Sequence, residues 1–110
     1  MRYTDEQRVK KIIEIIEKLD KYLEEQSITE DMVKSQYQIQ WTITTPLFNI
    51  GEHCYSISKE FKERYPDIPW AKISGLRHRL VHQYDDTNWE IICEILFVEL
   101  KQLKEQLLQL

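Results

Sequence analysis

Two stretches at opposite ends of the chain fix its fold class. From Val9, apolar residues recur at Ile12, Ile13, Ile16, Leu19 and Leu23; from Trp89 they recur at Ile92, Leu96, Leu100, Leu103 and Leu107. Steps of three and four put each set on one face of an α-helix, because a helix turns once per 3.6 residues. Each pattern implies a helix of about 22 residues, roughly 33 Å long. Stripes of that length must cover one another, which antiparallel packing in a bundle achieves.

The signals between them fill in the rest. Thr4 and Gln7 have capping-box spacing and open the first helix, about Asp5 to Gln26; Thr87 and Glu90 repeat that spacing before the last. Ser27 and Thr29 are both N-cap candidates for a second pattern carrying Met32, Val33, Tyr37, Ile39, Gln40 and Ile43. Pro46 lies inside this pattern and removes a backbone donor, which predicts a kink or a break there. Helical spacing then resumes through Leu47, Ile50, Cys54, Ile57 and Phe61, until the two prolines of "RYPDIPW" stop it. A short helix, about Trp70 to His82, follows. With only two Gly and three Pro in 110 residues, the expectation is one all-α domain over residues 1–110. It is an up-and-down bundle of four to five helices, the second long helix kinked or broken near Pro46.

Cys54 and Cys93 lie far apart without CxxC spacing, so they read as buried thiols rather than a disulfide or zinc framework. No apolar run approaches the roughly 18 residues of a membrane span, and "MRYTDEQRVKK" has no signal-peptide core. The expected location is the cytoplasm, with no membrane partner. Trp41, Trp70 and Trp89 read as core or interface residues rather than base-stacking platforms.

The net charge of −4 excludes a polybasic nucleic-acid binder. Yet between Lys59 and His82 the cations Lys59, Lys62, Arg64, Lys72, Arg77 and Arg79 face only Glu60, Glu63 and Asp67. An anionic ligand therefore has one preferred region. Within it, "GLRHRLVHQY" places two arginines and two histidines in six consecutive positions. Ile73, Leu76 and Leu80 form the inward stripe of that helix, so the polar residues project from its flanks. His78 and His82, four apart, have the spacing of a zinc half-site, but no third ligand has clear spacing and no metal or other cofactor is expected.

Histidine titrates near neutral pH and arginine holds phosphate oxygens bidentately. Together they can cleave RNA without metal: the 2′-hydroxyl, once deprotonated, attacks its own phosphate, and arginine stabilises the developing charge. The leaving 5′-oxygen also needs an acid, and one His82 cannot start the same step in both protonation states. A homodimer around a two-fold axis supplies both. Ideal helix geometry makes Arg79, three residues before His82, the nearer arginine; Arg77 lies about 140° away.

"RHRLVHQY" resembles the Arg, polar residue, three residues, His pattern of HEPN-domain ribonucleases. The longer "IPWAKISGLRHRLVHQYDDTNWEII" looks like the HepT toxins of toxin–antitoxin pairs, and "FNIGEHCYSIS" is similar to the "IGEA" stretch of that family, a likeness covering about Ile39 to Ile92. The resemblance implies an HEPN-like bundle and a metal-independent endoribonuclease acting on messenger or transfer RNA as a dimer. It implies Arg77 and His82 as the catalytic pair, His78 standing where Asn is most frequent. It also implies a cognate nucleotidyltransferase antitoxin that adenylylates the tyrosine two residues past the histidine, here Tyr84. Glu52, in "IGEH", either orients Arg77 through an ion pair or faces solvent. Against the enzyme stand a non-catalytic module that binds RNA, a nucleotide or the partner transferase in the same basic region, and an interaction protein built on the Leu-rich last helix. A group titrating near neutrality favours the enzyme, since phosphate binding alone needs none.

Overall fold

The computed structural model describes residues 2–81 and 86–110, with the backbone alone for Val81. Among these residues all regular structure is helical. Helix α1 (Asp5–Glu25) begins at the expected capping box: Thr4 Oγ1 accepts from the Gln7 N–H at 3.1 Å, and Gln7 Oε1 accepts from the Thr4 N–H at 2.8 Å. It closes in a Schellman turn, with the Ile28 N–H on the Leu23 carbonyl and the Ser27 N–H on that of Glu24. Ser27, at φ 50°, occupies the left-handed position that usually takes glycine. Of the two N-cap candidates, it is therefore Thr29 that caps α2 (Glu30–Ser35), accepting from the Met32 N–H.

The second long pattern does break, though not at its proline. Helix α3 (Tyr37–Ser56) runs through Pro46, and the interruption lies ten residues earlier at Gln36, whose backbone is extended. Ile43, Leu47 and Ile50, on either side of Pro46, are fully buried. Each contributes about 1.5–3 kcal/mol of burial, comparable with the roughly 3 kcal/mol an interior proline costs. At Gln36 the buried amide of Gln40 donates to the Val33 carbonyl at 2.8 Å, satisfying an acceptor that the end of α2 leaves open.

The expected continuation of α3 through Phe61 is also divided. Ile57 is extended, and Ser58 caps a separate helix, α4 (Lys59–Arg64), by accepting from the Phe61 N–H. Asp5, at the start of α1, accepts from both the Ser58 N–H (2.9 Å) and the Ser58 hydroxyl (2.6 Å), tying the break to the first helix.

The single helix expected over Trp70 to His82 is two short ones, α5 (Trp70–Ser74) and α6 (Leu76–Val81), meeting at Gly75. The Gly75 carbonyl accepts from both His78 and Arg79 N–H groups, a tightened turn rather than a change of direction, since Gly75 keeps right-handed helical angles. The last helix starts one residue later than the capping box at Thr87 suggests. Asn88, an equally good cap, accepts from the Glu90 and Ile91 N–H groups, while the Thr87 hydroxyl donates to the Arg79 carbonyl. That helix comprises α7 (Trp89–Glu94), a π turn over Ile95–Glu99, and α8 (Leu100–Leu108).

Helix α3 is the centre of the bundle, packed on α1 on one side and on α5 and α6 on the other. Helix α8 closes against α1, and α7 against α2. The inward stripes read from the sequence are the core: Ile12, Ile16, Ile73, Leu76, Ile92, Leu96, Leu100 and Leu103 are fully buried, and Leu80 is buried. Cys54 and Cys93 are buried free thiols, and burial pushes the Cys54 thiol up to about 12. Trp70 is buried and Trp89 packs partly on the core, but Trp41 is 60% exposed, edge-on to Tyr37, so no core claims it.

Candidate functional site

Gly51 sets the geometry of the site. A Cβ there would stand 3.1 Å from the Arg77 nitrogen, 3.1 Å from the Leu76 Cβ and 3.3 Å from the Arg77 Cγ. Its absence lets the backbone of α6 lie directly on α3. The next residue, Glu52, then meets Arg77 side on: Glu52 Oε1 accepts from Arg77 Nε at 2.5 Å, with both side chains about one-third exposed. One turn further along α3, the ring of Tyr55 lies beneath the guanidinium, whose Cζ is 3.9 Å from the ring centre. The Glu52 hydrogen bond raises the already high pKa of Arg77, against a smaller opposing effect of desolvation. Arg77 is a permanent cation held from two directions.

Arg79 leaves α6 about 200° from Arg77 at roughly 100° per residue. It is exposed, and its charge acts on Lys72, which is paired with Glu99 at 2.5 Å. His78 is exposed on α6. Of the candidate site residues, the structure thus brings Glu52 and Arg77 together and leaves Arg79 on another flank. His82 and Tyr84 lie outside the described residues. The Tyr55 contact with Arg77 is one that the sequence reading missed; its one signal is a place three positions after Glu52 on the same helix face.

A second polar cluster sits on the other side of α3. The Arg8 Nη1 group donates to His53 Nδ1 at 3.2 Å, Tyr3 packs edge-on to the imidazole, and Asp5 holds Ser58 nearby. Arginine cannot accept a hydrogen bond, so this contact fixes a neutral His53 with its proton on Nε2. Burial lowers the pKa of His53, and the charges of Arg8 and Lys11 lower it further against the opposing pull of Glu52. The pKa of Asp5 is lowered too, which for a carboxyl favours the charged form: burial pushes it up, but the hydrogen bonds from Ser58 and the charges of Arg8 and Arg64 bring it below the usual value. Among the described residues, no group of three or more His, Cys, Asp and Glu side chains could hold a metal ion. No helix among them is long and apolar enough to cross a membrane.

Residues 12–110 match the profile of the family described as ribonuclease HepT-like. A protein of Caldanaerobacter subterraneus subsp. tengcongensis, provisionally named an RNase, is 39% identical over 57 residues, 52% of this chain and 51% of that one. A protein of Methanocaldococcus jannaschii with the same provisional name is 29% identical over 84 residues, 73% of this chain and 72% of its own. The longest of these three likenesses is to a protein of Thermococcus cleftensis provisionally named ribonuclease HepT, 25% identical over 104 residues, 94% and 93% of the two chains. The match to the Caldanaerobacter protein spans about half of that relative's length. No solved structure matches the chain. With an all-helical fold among its described residues and a family profile covering nearly all of its length, this chain belongs to the HepT-like ribonuclease family.

Proposed function

We propose that this protein is a metal-independent endoribonuclease of the HEPN type, acting as a homodimer in the cytoplasm. The observation that carries the reading is Arg77: the first residue of the Arg-to-His motif is fixed by Glu52 through Nε and stacked on Tyr55. The Glu52 bond uses Nε, so it does not itself occupy the end of the guanidinium between the two terminal nitrogens, an edge at which a phosphodiester can be met bidentately.

In the proposed reaction the imidazole of His82 removes the proton from a ribose 2′-hydroxyl. The 2′-oxygen attacks the adjacent phosphorus, and Arg77 stabilises the charge gathering on the non-bridging oxygens. The bond to the 5′-oxygen breaks, and the imidazolium of a second copy's His82 supplies the proton to that leaving group. The products are a 2′,3′-cyclic phosphate and a 5′-hydroxyl. His78 and Arg79, on exposed flanks of α6, are supporting candidates for holding neighbouring phosphates.

The same reading assigns control to Tyr84. A cognate nucleotidyltransferase antitoxin would adenylylate its hydroxyl, adding bulk and phosphate charge beside the motif that repel an RNA backbone. Messenger or transfer RNA is the expected target.

The test is cleavage of a mixed RNA substrate in excess chelator by wild type and His82→Ala, after intact mass shows that Tyr84 carries no nucleotide. Wild-type cleavage leaving cyclic phosphate ends, absent from the folded variant, is the expected result. No cleavage by unmodified dimer across varied RNAs would make the basic region a docking surface instead. Tyr84→Phe should cut RNA yet escape silencing by the transferase; a variant still silenced would remove Tyr84 as the control point.

A further inference from the structure

We propose that Tyr55 is a stacking platform for a base of single-stranded RNA, placed beside the Arg77 phosphate contact. The inference rests on the ribonuclease reading for its ligand and on separate observations for its place. Tyr55 lies in the last turn of α3 with the Arg77 guanidinium over its ring at 3.9 Å, yet the residue remains 58% exposed. A second cation, Lys62 of α4, stands 6.0 Å from the ring centre and donates to the Tyr55 carbonyl at 3.2 Å. The exposed ring is thus bordered by cations from two different elements, both belonging to the basic stretch from Lys59 to His82 of an acidic chain.

This arrangement suits one ligand chemistry. Every nucleobase has a π-face, so an exposed aromatic accepts a base without regard to sequence, and the phosphates on either side of that base need cations within reach. Arg77 and Lys62 meet that need. The guanidinium also restricts the ring, so little side-chain freedom remains to be lost when a base settles on it. The exposed pair Tyr37 and Trp41 cannot take this role for the same nucleotide. Trp41 lies fourteen residues earlier on α3, about 21 Å away at the helical rise.

The experiment uses a labelled 2′-O-methyl hexanucleotide, which lacks the attacking hydroxyl, and an abasic strand with the same number of phosphates. Fluorescence anisotropy reads binding of both by wild type, Tyr55→Phe and Tyr55→Ala. Wild type and Tyr55→Phe are expected to prefer the base-bearing strand by roughly 5- to 100-fold, and Tyr55→Ala to lose that preference. Tyr55 is exposed, so the alanine variant should melt close to wild type, and a melting curve checks this. If wild type shows no preference, or Tyr55→Ala keeps it, the platform is overturned. Equal weakening of both strands by Tyr55→Ala would also overturn it, because that pattern belongs to a residue that only holds Arg77. Binding is read whether or not the chain cuts RNA. A base preference lost in Tyr55→Ala alongside an inactive wild type would sink the catalytic reading alone.

Discussion

Glu52 and His53 are neighbours on α3, and each holds an arginine, yet the two pairs have opposite chemistry. Glu52 turns toward α6 and gives Arg77 a charge of opposite sign. His53 turns toward α1, where Arg8 donates to it and its own proton is disfavoured. An arginine beside a histidine is therefore not in itself a catalytic kit, since one that bonds the ring nitrogen keeps the imidazole neutral. An arginine fixed by a carboxylate stays available for a phosphate and leaves proton transfer to a histidine elsewhere. Under the proposed function the α6 side serves the chemistry, while the α1 side forms the joint between α1, the end of α3 and α4.

Removing the arginines should separate the two sides most strongly. Arg77→Ala is expected to lower RNA cleavage by roughly 10²–10³-fold, the scale of losing one preorganised charge-stabilising donor. Arg8→Ala should leave the rate within about twofold and act on melting instead, as expected for a partly exposed hydrogen bond worth about 1 kcal/mol. Steady-state cleavage and thermal melts on the same preparations would check both, and equal activity losses would break the distinction. The carboxylate comes next. Glu52→Gln keeps the shape and loses the charge, so Arg77 should stray from its productive pose, with cleavage down about 10-fold or more. The matched His53→Gln should cut RNA at the wild-type rate.

Gly51→Ala examines what places the α6 side where it is. The added methyl would press on the Arg77 nitrogen and the Leu76 Cβ, both at 3.1 Å, and neither is the loose end of a flexible side chain. An overpacked contact of this kind costs about 1–3 kcal/mol, so the melting temperature should fall and cleavage with it. A variant that melts lower yet cuts normally would show that the α3–α6 spacing does not set the position of Arg77.

Helix α1 was readable because its capping box and its stripe of Val9, Ile12, Ile16, Leu19 and Leu23 are local signals that tertiary packing reinforces. The break at Gln36 was not readable, since no glycine or proline marks it and it is stabilised by Gln40 reaching back seven residues to Val33. That Pro46 does not break the helix has the complementary reason: its local penalty is visible in the sequence, while the burial of Ile43, Leu47 and Ile50 that offsets it is not. In the site, ideal geometry along one helix favoured Arg79 because it measured distance to His82 alone. The contact that singles out Arg77 comes from another helix, brought close by a missing Cβ at Gly51. Tyr55 depends on the same crossing, so no spacing within "GLRHRLVHQY" could have revealed it.

The smallest expected effect tests the α1 side through pH. His53 has a folded-state pKa below its usual 6.5, first from burial and then from Arg8 and Lys11. Between the folded value and about 6.5 the unfolded chain therefore binds more protons than the native one, and stability rises with pH. The penalty is absent above about 6.5 and complete below the folded value. Asp5 also weakens the fold in acid, but in a lower window: its stabilisation holds above the usual 3.8 and is lost as pH falls through its depressed folded value. His53→Gln keeps an acceptor for Arg8 and removes the titration. From pH 7 down to 5 its melting temperature should fall less steeply than that of wild type, by a few degrees at most because the cluster is partly exposed to solvent. Parallel slopes would mean that Arg8 does not hold His53 neutral, and the contrast with Glu52 would then rest on geometry alone.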